Sequence, residues 1–202
     1  MRLDFETLGP ADIYSWMIQT ITPRPIAWIL SDNGDATYNL APFSYFNAVT
    51  SRLAIVSFSV GKKRDGEPKD TVKNIEERKR FVLHIATQAH AKAVNASSEA
   101  LPFGESELTR HGIETVVEES FGMPRIKDAP IAMLCSHHQT VHVGDTNQSL
   151  VLARIQRVYV DDSVIVSGDE GPTVCPDRLD PLSRLGGDNY ATLGKVFSMP
   201  RP

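Results

Sequence analysis

The chain of 202 residues is 41% hydrophobic and 23% charged, a balance typical of a folded globular protein rather than a disordered one. Its formal net charge of −4 and pI of about 5.9 provide no bulk positive field for nucleic acid or anionic membrane, so any phosphate binding must come from a local pocket. Two cysteines do not form a disulfide framework, and neither a signal peptide nor a membrane-spanning stretch is recognisable. We therefore predict one cytoplasmic domain, residues 1–202, that binds neither nucleic acid nor membrane.

Hydrophobic periodicity and turn-forming residues predict most of the secondary structure. Residues 101–128 are harder to interpret and indicate only a short helix and a strand. The other predicted elements, in chain order, are a helix at 11–21, a hairpin with strands at 26–30 and 37–40, a strand at 53–61, a helix from 70 or 71 to about 80, a strand at 81–85, a helix at 88–100, a second hairpin with strands at 131–143 and 149–160, and a short strand at 163–166.

Two strands carry further information. Pro42 lacks the N–H that a central strand needs, so it should end the second strand of the first hairpin and keep that strand out of the middle of a sheet. The strand at 53–61 alternates cleanly, with Ala54, Val56, Phe58 and Val60 directed towards a core. Its opposite face becomes polar towards its end, as expected of a strand that runs from a packed wall to a wet pocket.

The order of these elements predicts the fold class. Six or seven strands come in hairpins, and three or so helices are interspersed rather than alternating with single strands. This order favours a mainly β protein, an antiparallel β-barrel with helices packed outside it, over a doubly wound sheet. Glycine-rich nucleotide-binding motifs are absent from the sequence, so the common nucleotide folds have no support.

The segment Lys69-Asp70-Thr71 opens a predicted helix. Free backbone N–H groups and the positive end of the helix dipole favour an anion there, and the lysine and threonine add a charge and a donor. On this segment alone, however, an ordinary capped surface helix is the better explanation.

Other polar residues could serve the same ligand. Ser57 and Ser59 share one face of their strand, and Ser44 follows the bend at Pro42; such hydroxyls suit a phosphate or a ribityl chain, although solvated strand ends explain each one singly. Arg24 lies between two prolines that stiffen its backbone, which suits clamping of an anion, or simply a rigid turn with an exposed arginine.

The sequence offers no convincing metal site or catalytic side chain. On a strand, His138 and His142 would share a face but lie about 13 Å apart at a rise of ~3.3 Å per residue, too far to share one ion, while His137 points the other way. No nucleophile motif is present. We therefore predict no metal and no catalytic side chain, and expect a cofactor to supply the chemistry.

Six segments taken together resemble the flavin reductase-like family, whose members bind FMN in a split β-barrel of Greek-key antiparallel topology. Each segment is weak alone, but their order and spacing are specific. They are TPRPIA at 22–27, YNLAPFSYFNA at 38–48, VSFSVG at 56–61, KDTVKNI at 69–75, VHVGD at 141–145 and RLGGDNY at 184–190.

The resemblance implies a homodimer with FMN near the subunit interface. Residues 39–41 would lie along the isoalloxazine ring, Ser44 and 57–59 would meet the ribityl and phosphate region, and 69–71 would close the phosphate end. Tyr190 would approach the flavin or the nicotinamide, and Arg24 would support the ring or the phosphate. The implied FMN-binding residues are Arg24, Asn39, Leu40, Ala41, Pro42, Ser44, Ser57, Phe58, Ser59, Lys69, Asp70, Thr71 and Tyr190.

The function implied by this resemblance is hydride transfer from NAD(P)H to FMN, in some members to supply reduced flavin to a partner oxygenase. A non-catalytic FMN-binding protein for storage or sensing is the alternative, and a third reading puts another planar cofactor in the barrel, such as haem or a pyridoxal phosphate relative. The charged loop at 62–67 and an extended tail from about 177 depart from the smaller reductases, which leaves the electron donor and acceptor open.

Overall fold

A computed structural model describes residues 1–168 and 171–200. No helix in this part of the chain is both long and apolar enough to cross a membrane. The helices and strands are α1 (Pro10–Thr20), β1 (Arg24–Pro25), β2 (Ala27–Asp32), β3 (Tyr38–Phe43), β4 (Phe46–Thr50), β5 (Ile55–Gly61), α2 (Asp70–Arg78), β6 (Arg80–Ile85), α3 (Ala91–Ala96), α4 (Glu107–His111), β7 (Thr115–Glu118), β8 (Met123–Ile126), β9 (Ile131–His142), β10 (Gln148–Val160), β11 (Ile165–Gly168), β12 (Gly171–Val174), α5 (Pro176–Leu179), β13 (Ser183–Arg184) and β14 (Tyr190–Ala191).

The main sheet has seven strands in the order β3-β2-β6-β9-β10-β5-β4, and every neighbouring pair is antiparallel. Its two edge strands, β3 and β4, are joined directly through Ser44 and Tyr45. Because a two-residue connection cannot span a flat seven-stranded sheet, the sheet must curl until its edges approach each other. The result is the predicted split barrel, in which β2 to β5 follow one another and the chain then crosses to β6 in a Greek-key manner.

The inner face of the curled sheet forms one hydrophobic core. The side chains of Val56, Phe58 and Val60 point inward from β5, as their alternation in the sequence predicts, and all three are buried. Phe58 contacts Phe43 across the split, with ring centroids 5.3 Å apart. Helix α2 packs against the same core, because its apolar residues lie on one face of the helix.

A second core lies on the outer face of β2, β6 and β9, under α3, α4 and the β7–β8 hairpin. Trp28 is fully buried there, and its indole N–H donates to the Ser97 hydroxyl at 2.9 Å. These elements cover only part of the outer surface. The outer face of β5, which carries Ser57 and Ser59, is half-buried rather than buried.

The predicted hairpins and most elements are confirmed, but β4 (Phe46–Thr50) was not predicted, and three predictions differ from the structure. Pro42 does not end its strand: β3 continues to Phe43 and tolerates the proline because it is an edge strand. Ala54 precedes β5 with a φ of 50° instead of pointing into the core. The predicted helix at 88–100 is a 3₁₀ turn followed by α3, which ends where the hydroxyls of Ser97 and Ser98 bond to carbonyls of the preceding turn.

His84 is a fully buried histidine beside Trp28, on the side of β6 that faces the outer core. Its Nδ1–H donates to the Trp28 carbonyl, and its Nε2 accepts the Ile126 N–H, both at 3.0 Å. Because a carbonyl only accepts and an amide N–H only donates, these contacts fix one neutral tautomer. Burial accordingly lowers the pKa of His84 to about 3.

This depressed pKa predicts a specific loss of stability in acid. The unfolded chain binds a proton at His84 below about pH 6.5, whereas the folded chain does not. The contribution of neutral His84 to the free energy of unfolding is therefore complete above that pH and is lost as the pH falls towards 3. Between pH 7.5 and 5.0 His84 should remove about 2 kcal/mol from the free energy of unfolding. Urea unfolding of His84→Gln should lack this share of the pH dependence, whereas the exposed His138→Gln should retain it. An unchanged pH dependence in His84→Gln would contradict the assignment.

Candidate functional site

An open cleft of about 520 Å³ lies beside the split of the barrel. We call it the serine cleft, because the hydroxyls of Ser44, Ser57 and Ser59 line it. The complete lining is Met17, Ile21, Pro23, Arg24, Pro25, Ser44, Tyr45, Phe46, Asn47, Ser57, Ser59 and Leu150.

Local backbone structure explains why the serines meet. Ser57 and Ser59 are two residues apart on β5, so the pleat directs both to the outer face. Ser44 belongs to the β3–β4 connection, which the Ser59 N–H holds in place through a 2.8 Å hydrogen bond to the Tyr45 carbonyl. Three residues that the sequence analysis assigned to one ligand therefore face one cleft.

Arg24 also borders the cleft, but its guanidinium is committed to the backbone. One Nη donates to the carbonyls of Ile18 and Ile21 at 2.7 and 2.6 Å, and the other donates to the Leu185 carbonyl at 2.9 Å. Arg24 is only 6% exposed, and its Nε is buried with no partner in the part of the chain that the structure describes. The arginine thus ties the end of α1 and the C-terminal segment to β1.

A buried polar network lies between β2, β3 and the start of α2. The Asn39 amide donates to the Thr71 hydroxyl at 2.9 Å and to the Ser31 hydroxyl at 3.4 Å. The Asn74 amide donates to Ser31 at 3.2 Å and to the Asn33 side-chain oxygen at 2.8 Å. All five residues are buried. Asn39 and Thr71 are therefore brought into direct contact, behind the surface rather than on it.

The start of α2 has no side-chain cap, and its second residue, Thr71, is buried. Lys69 occupies the N-cap position, and no side chain forms a capping hydrogen bond there. The carbonyl of Lys69 accepts the N–H groups of Val72 and Lys73, while the first N–H groups of the helix point out of its end. With the helix dipole and the Lys69 ammonium, this end favours negative charge. We call it the α2 mouth, residues 69–71.

The charged loop at 62–68 places this mouth beside the end of β5. Lys62 and Pro68 form an antiparallel bridge, so the chain returns to the residue that follows the end of β5, three residues beyond Ser59. The Lys63 ammonium pairs with the Asp70 carboxylate, which offsets the one negative side chain of the first turn. The α2 mouth therefore lies near the end of β5, the strand that carries Ser57 and Ser59, although residues 69–71 do not themselves line the serine cleft.

The remaining predicted residues occupy different environments. Leu40 and Phe58 are fully buried, in the outer and inner cores respectively, whereas Ala41 and Pro42 are partly exposed on β3.

Tyr190 packs on the outer core, beyond the serine cleft. Its hydroxyl lies 3.5 Å from the Asn95 side chain, and the Arg184 guanidinium lies over its ring at 4.4 Å. The neighbouring Gly186 packs directly on α1, where an added Cβ would lie 2.6 Å from Cγ of Gln19. This close approach gives Gly186 a structural reason, whereas Gly187 has a positive φ of 58°.

Glu107 is a buried carboxylate that the sequence pattern did not single out. It is 5% exposed and accepts the Leu40 N–H at 2.8 Å. Burial raises the pKa of this carboxyl, while the hydrogen bond from Leu40 opposes the rise. Its sequence signal, a serine followed by an acidic residue at the start of a helical run, is equally typical of a surface helix.

The comparisons with known proteins identify the family. Residues 19–169 match the flavin reductase like domain, so the chain belongs to the flavin reductase-like family, and flavin is the cofactor class that this membership indicates. Nitrilotriacetate monooxygenase component B from Bacillus cereus is 32% identical, with a TM-score of 0.90 and 98% of each chain covered.

Two further structures are similar. The 2-nitrobenzoate 2-nitroreductase NbaA of Pseudomonas fluorescens is 27% identical, with a TM-score of 0.88 over 100% of this chain and 96% of that one. A protein of Shewanella frigidimarina assigned as a flavin reductase with a split barrel domain is 18% identical, with a TM-score of 0.85 and full coverage of both chains. The last similarity supports the fold alone.

The contacts of Arg24 predict a structural role that can be measured. Arg24→Gln should lower the free energy of unfolding by about 2–3 kcal/mol, because it removes a charged donor from three carbonyls in a buried site. Hydrogen exchange should accelerate in α1 and in residues 183–191. Arg178→Gln is the matched control, since Arg178 is exposed and bonds to one carbonyl. Equal losses in the two variants would refute the role.

Proposed function

We propose that this chain is an FMN-dependent oxidoreductase of the flavin reductase type, which passes hydride from NAD(P)H to flavin. The observation that supports the proposal is that β5 carries two serines of the serine cleft and ends beside the loop that leads into the uncapped α2 mouth. The α2 mouth suits a phosphate, and the serine cleft suits a polyol chain with an attached ring. FMN combines these three groups. When bound, the flavin supplies the hydride chemistry, and the chain binds and orients it.

Backbone N–H groups and a lysine would bind the phosphate of FMN. The outward N–H groups at residues 70–71 and the Lys69 ammonium are the donors available to it. The Thr71 hydroxyl accepts from Asn39 and is buried, so its part is to fix the helix start. The pairing of Asp70 with Lys63 reduces the repulsion that the Asp70 carboxylate would otherwise exert on a phosphate.

The ribityl and ring end would use the serine cleft. Ser44, Ser57 and Ser59 can donate to or accept from ribityl hydroxyls. Tyr45 and Phe46 provide apolar surface for the isoalloxazine ring on one side of the cleft. Residues 39–42 would support the ring through the backbone of β3, because the side chains of Asn39 and Leu40 are buried behind it.

A second copy of the chain would complete the site. Helix α1 buries none of its residues in the described part of the chain, although it borders the cleft through Met17. Tyr14 at 60% and Ile21 at 56% exposure leave a large apolar surface at that rim. A homodimer formed on this surface would cover the ring and exclude water from it.

The electron acceptor is proposed by similarity. Component B of nitrilotriacetate monooxygenase is by its name part of a monooxygenase, so a partner oxygenase that receives reduced flavin is the acceptor that we propose. The C-terminal segment would belong to the same functional unit, residues 1–202, because the Leu182 N–H bonds to the Ala86 carbonyl and Leu185 accepts from Arg24.

The proposal predicts a phosphate-specific defect. Lys69→Ala should weaken the affinity for FMN about tenfold, because it removes a positive charge at the α2 mouth. The affinity for riboflavin should change less than about twofold, since riboflavin lacks the phosphate. Flavin fluorescence quenching measures both affinities. The exposed Lys92→Ala serves as the control and should match the wild type. Equal losses for the two flavins would mean that the phosphate lies elsewhere.

Catalysis is tested by anaerobic mixing with reduced nicotinamide. FMN bound to the wild-type protein should bleach at 450 nm on addition of NADH or NADPH, because the open cleft admits a donor to the flavin. Bound FMN that bleaches with neither donor would favour the alternative, a protein that holds FMN for storage or sensing. A spectrum typical of haem or of pyridoxal phosphate in the purified protein would contradict both.

The proposed interface has its own test. Ile21→Glu places a charge on the exposed rim and should convert a dimer to a monomer in sedimentation equilibrium, with weaker FMN binding. Val117→Glu is the control, because Val117 is 77% exposed on β7, away from the cleft lining. A wild-type protein that sediments as a monomer would rule out this interface.

A further inference from the structure

Strand β3 has a free edge that faces away from β2. The Asn33 N–H donates to the Thr37 carbonyl, so 33 and 37 are a hydrogen-bonded pair. Because such pairs alternate along an antiparallel ladder, the N–H and C=O groups of Tyr38, Leu40 and Pro42 point to the free edge. Proline has no N–H, which leaves the N–H groups of Tyr38 and Leu40 as the donors on this edge. Leu40 is the fully buried one of the two, so its N–H needs a protein partner.

The dipeptide Ser106-Glu107 occupies that edge. The Glu107 carboxylate accepts the Leu40 N–H at 2.8 Å, and the Ser106 hydroxyl donates to the Tyr38 carbonyl at 2.5 Å. Ser106 stands at the N-cap position of α4, yet its side chain makes no capping hydrogen bond. Its hydroxyl is used on β3 instead. Two side chains therefore replace the neighbouring strand that β3 lacks.

The position of these contacts links them to the proposed site. They hold the backbone on both sides of Asn39, whose side chain in turn bonds to Thr71 at the α2 mouth. They also precede Ala41 and Pro42, the partly exposed residues of β3. Movement of β3 away from α4 would shift the strand segment that the isoalloxazine ring is proposed to contact.

We propose that Glu107, assisted by Ser106, is a positioning residue that fixes the flavin-facing backbone of β3. This inference rests on the proposed function. Glu107 does not touch the flavin in this account; it acts through Leu40. Its effect should therefore fall on the ring rather than on the phosphate, which distinguishes it from Lys69. A carboxylate buried to this degree is retained against its desolvation cost, which is consistent with a positional role.

The test compares two flavins and four variants. Glu107→Ala should weaken FMN and riboflavin equally, by about tenfold, because a hydrogen bond from a backbone N–H to a buried carboxylate is lost. It should also change the visible circular dichroism of the bound flavin, a signature of altered ring seating. Glu107→Gln keeps an acceptor oxygen for Leu40 and should bind both flavins within about threefold of wild type. Ser106→Ala should weaken the affinity for both flavins about threefold, and the exposed Glu105→Ala should leave both affinities unchanged.

The outcomes separate this inference from the proposed function. If the wild-type protein quenches neither flavin, the proposed function fails and takes the inference with it. If the wild type binds flavin and a folded Glu107→Ala variant binds both flavins as tightly as the wild type, or binds only FMN more weakly, the inference is overturned while the function stands. If Glu107→Ala does not fold, Ser106→Ala decides: unchanged affinity and an unchanged flavin dichroism spectrum would overturn it.

Discussion

The hydrogen bond from the Asn39 amide to the Thr71 hydroxyl joins the edge of the barrel to the start of α2. Both residues are buried, and the network continues through Ser31 to Asn74 one turn along the helix. Buried polar groups of this kind are costly to leave unpaired, so they specify one orientation of the helix relative to the sheet. The open helix start and the flavin-facing strand in this account both take their positions from that contact.

The curl of the sheet creates the complementary surface. Because β3 and β4 are consecutive and yet lie at opposite edges, the barrel is split where their connection, Ser44 and Tyr45, lies. The aromatic contact between Phe43 and Phe58 packs the inner side of the split. On the outer side the same strands present serine hydroxyls to solvent. A single strand, β5, thus carries core residues on one face and ligand-binding candidates on the other.

Local patterns in the sequence were sufficient for most of the strands, for the antiparallel fold class and for part of the candidate site, but not for β4. Alternation along β5 predicted both the buried Phe58 and the pair Ser57 and Ser59, because a period of two is a property of the strand itself. The partners of Arg24 could not be predicted this way, since one of them, Leu185, is 161 residues distant. The burial of Glu107 could not be predicted either, because it depends on how α4 packs against β3, and local sequence periodicity does not determine that packing.

The central claim, that a phosphate is bound at the α2 mouth, is tested most directly by the backbone amide resonances of Asp70 and Thr71. On titration with FMN, these two ¹⁵N–¹H signals should move strongly, as expected of amides that donate to a phosphate, and equimolar riboflavin should leave them nearly in place. Shifts confined to other parts of the chain, with the Asp70 and Thr71 signals unmoved by FMN, would contradict the account.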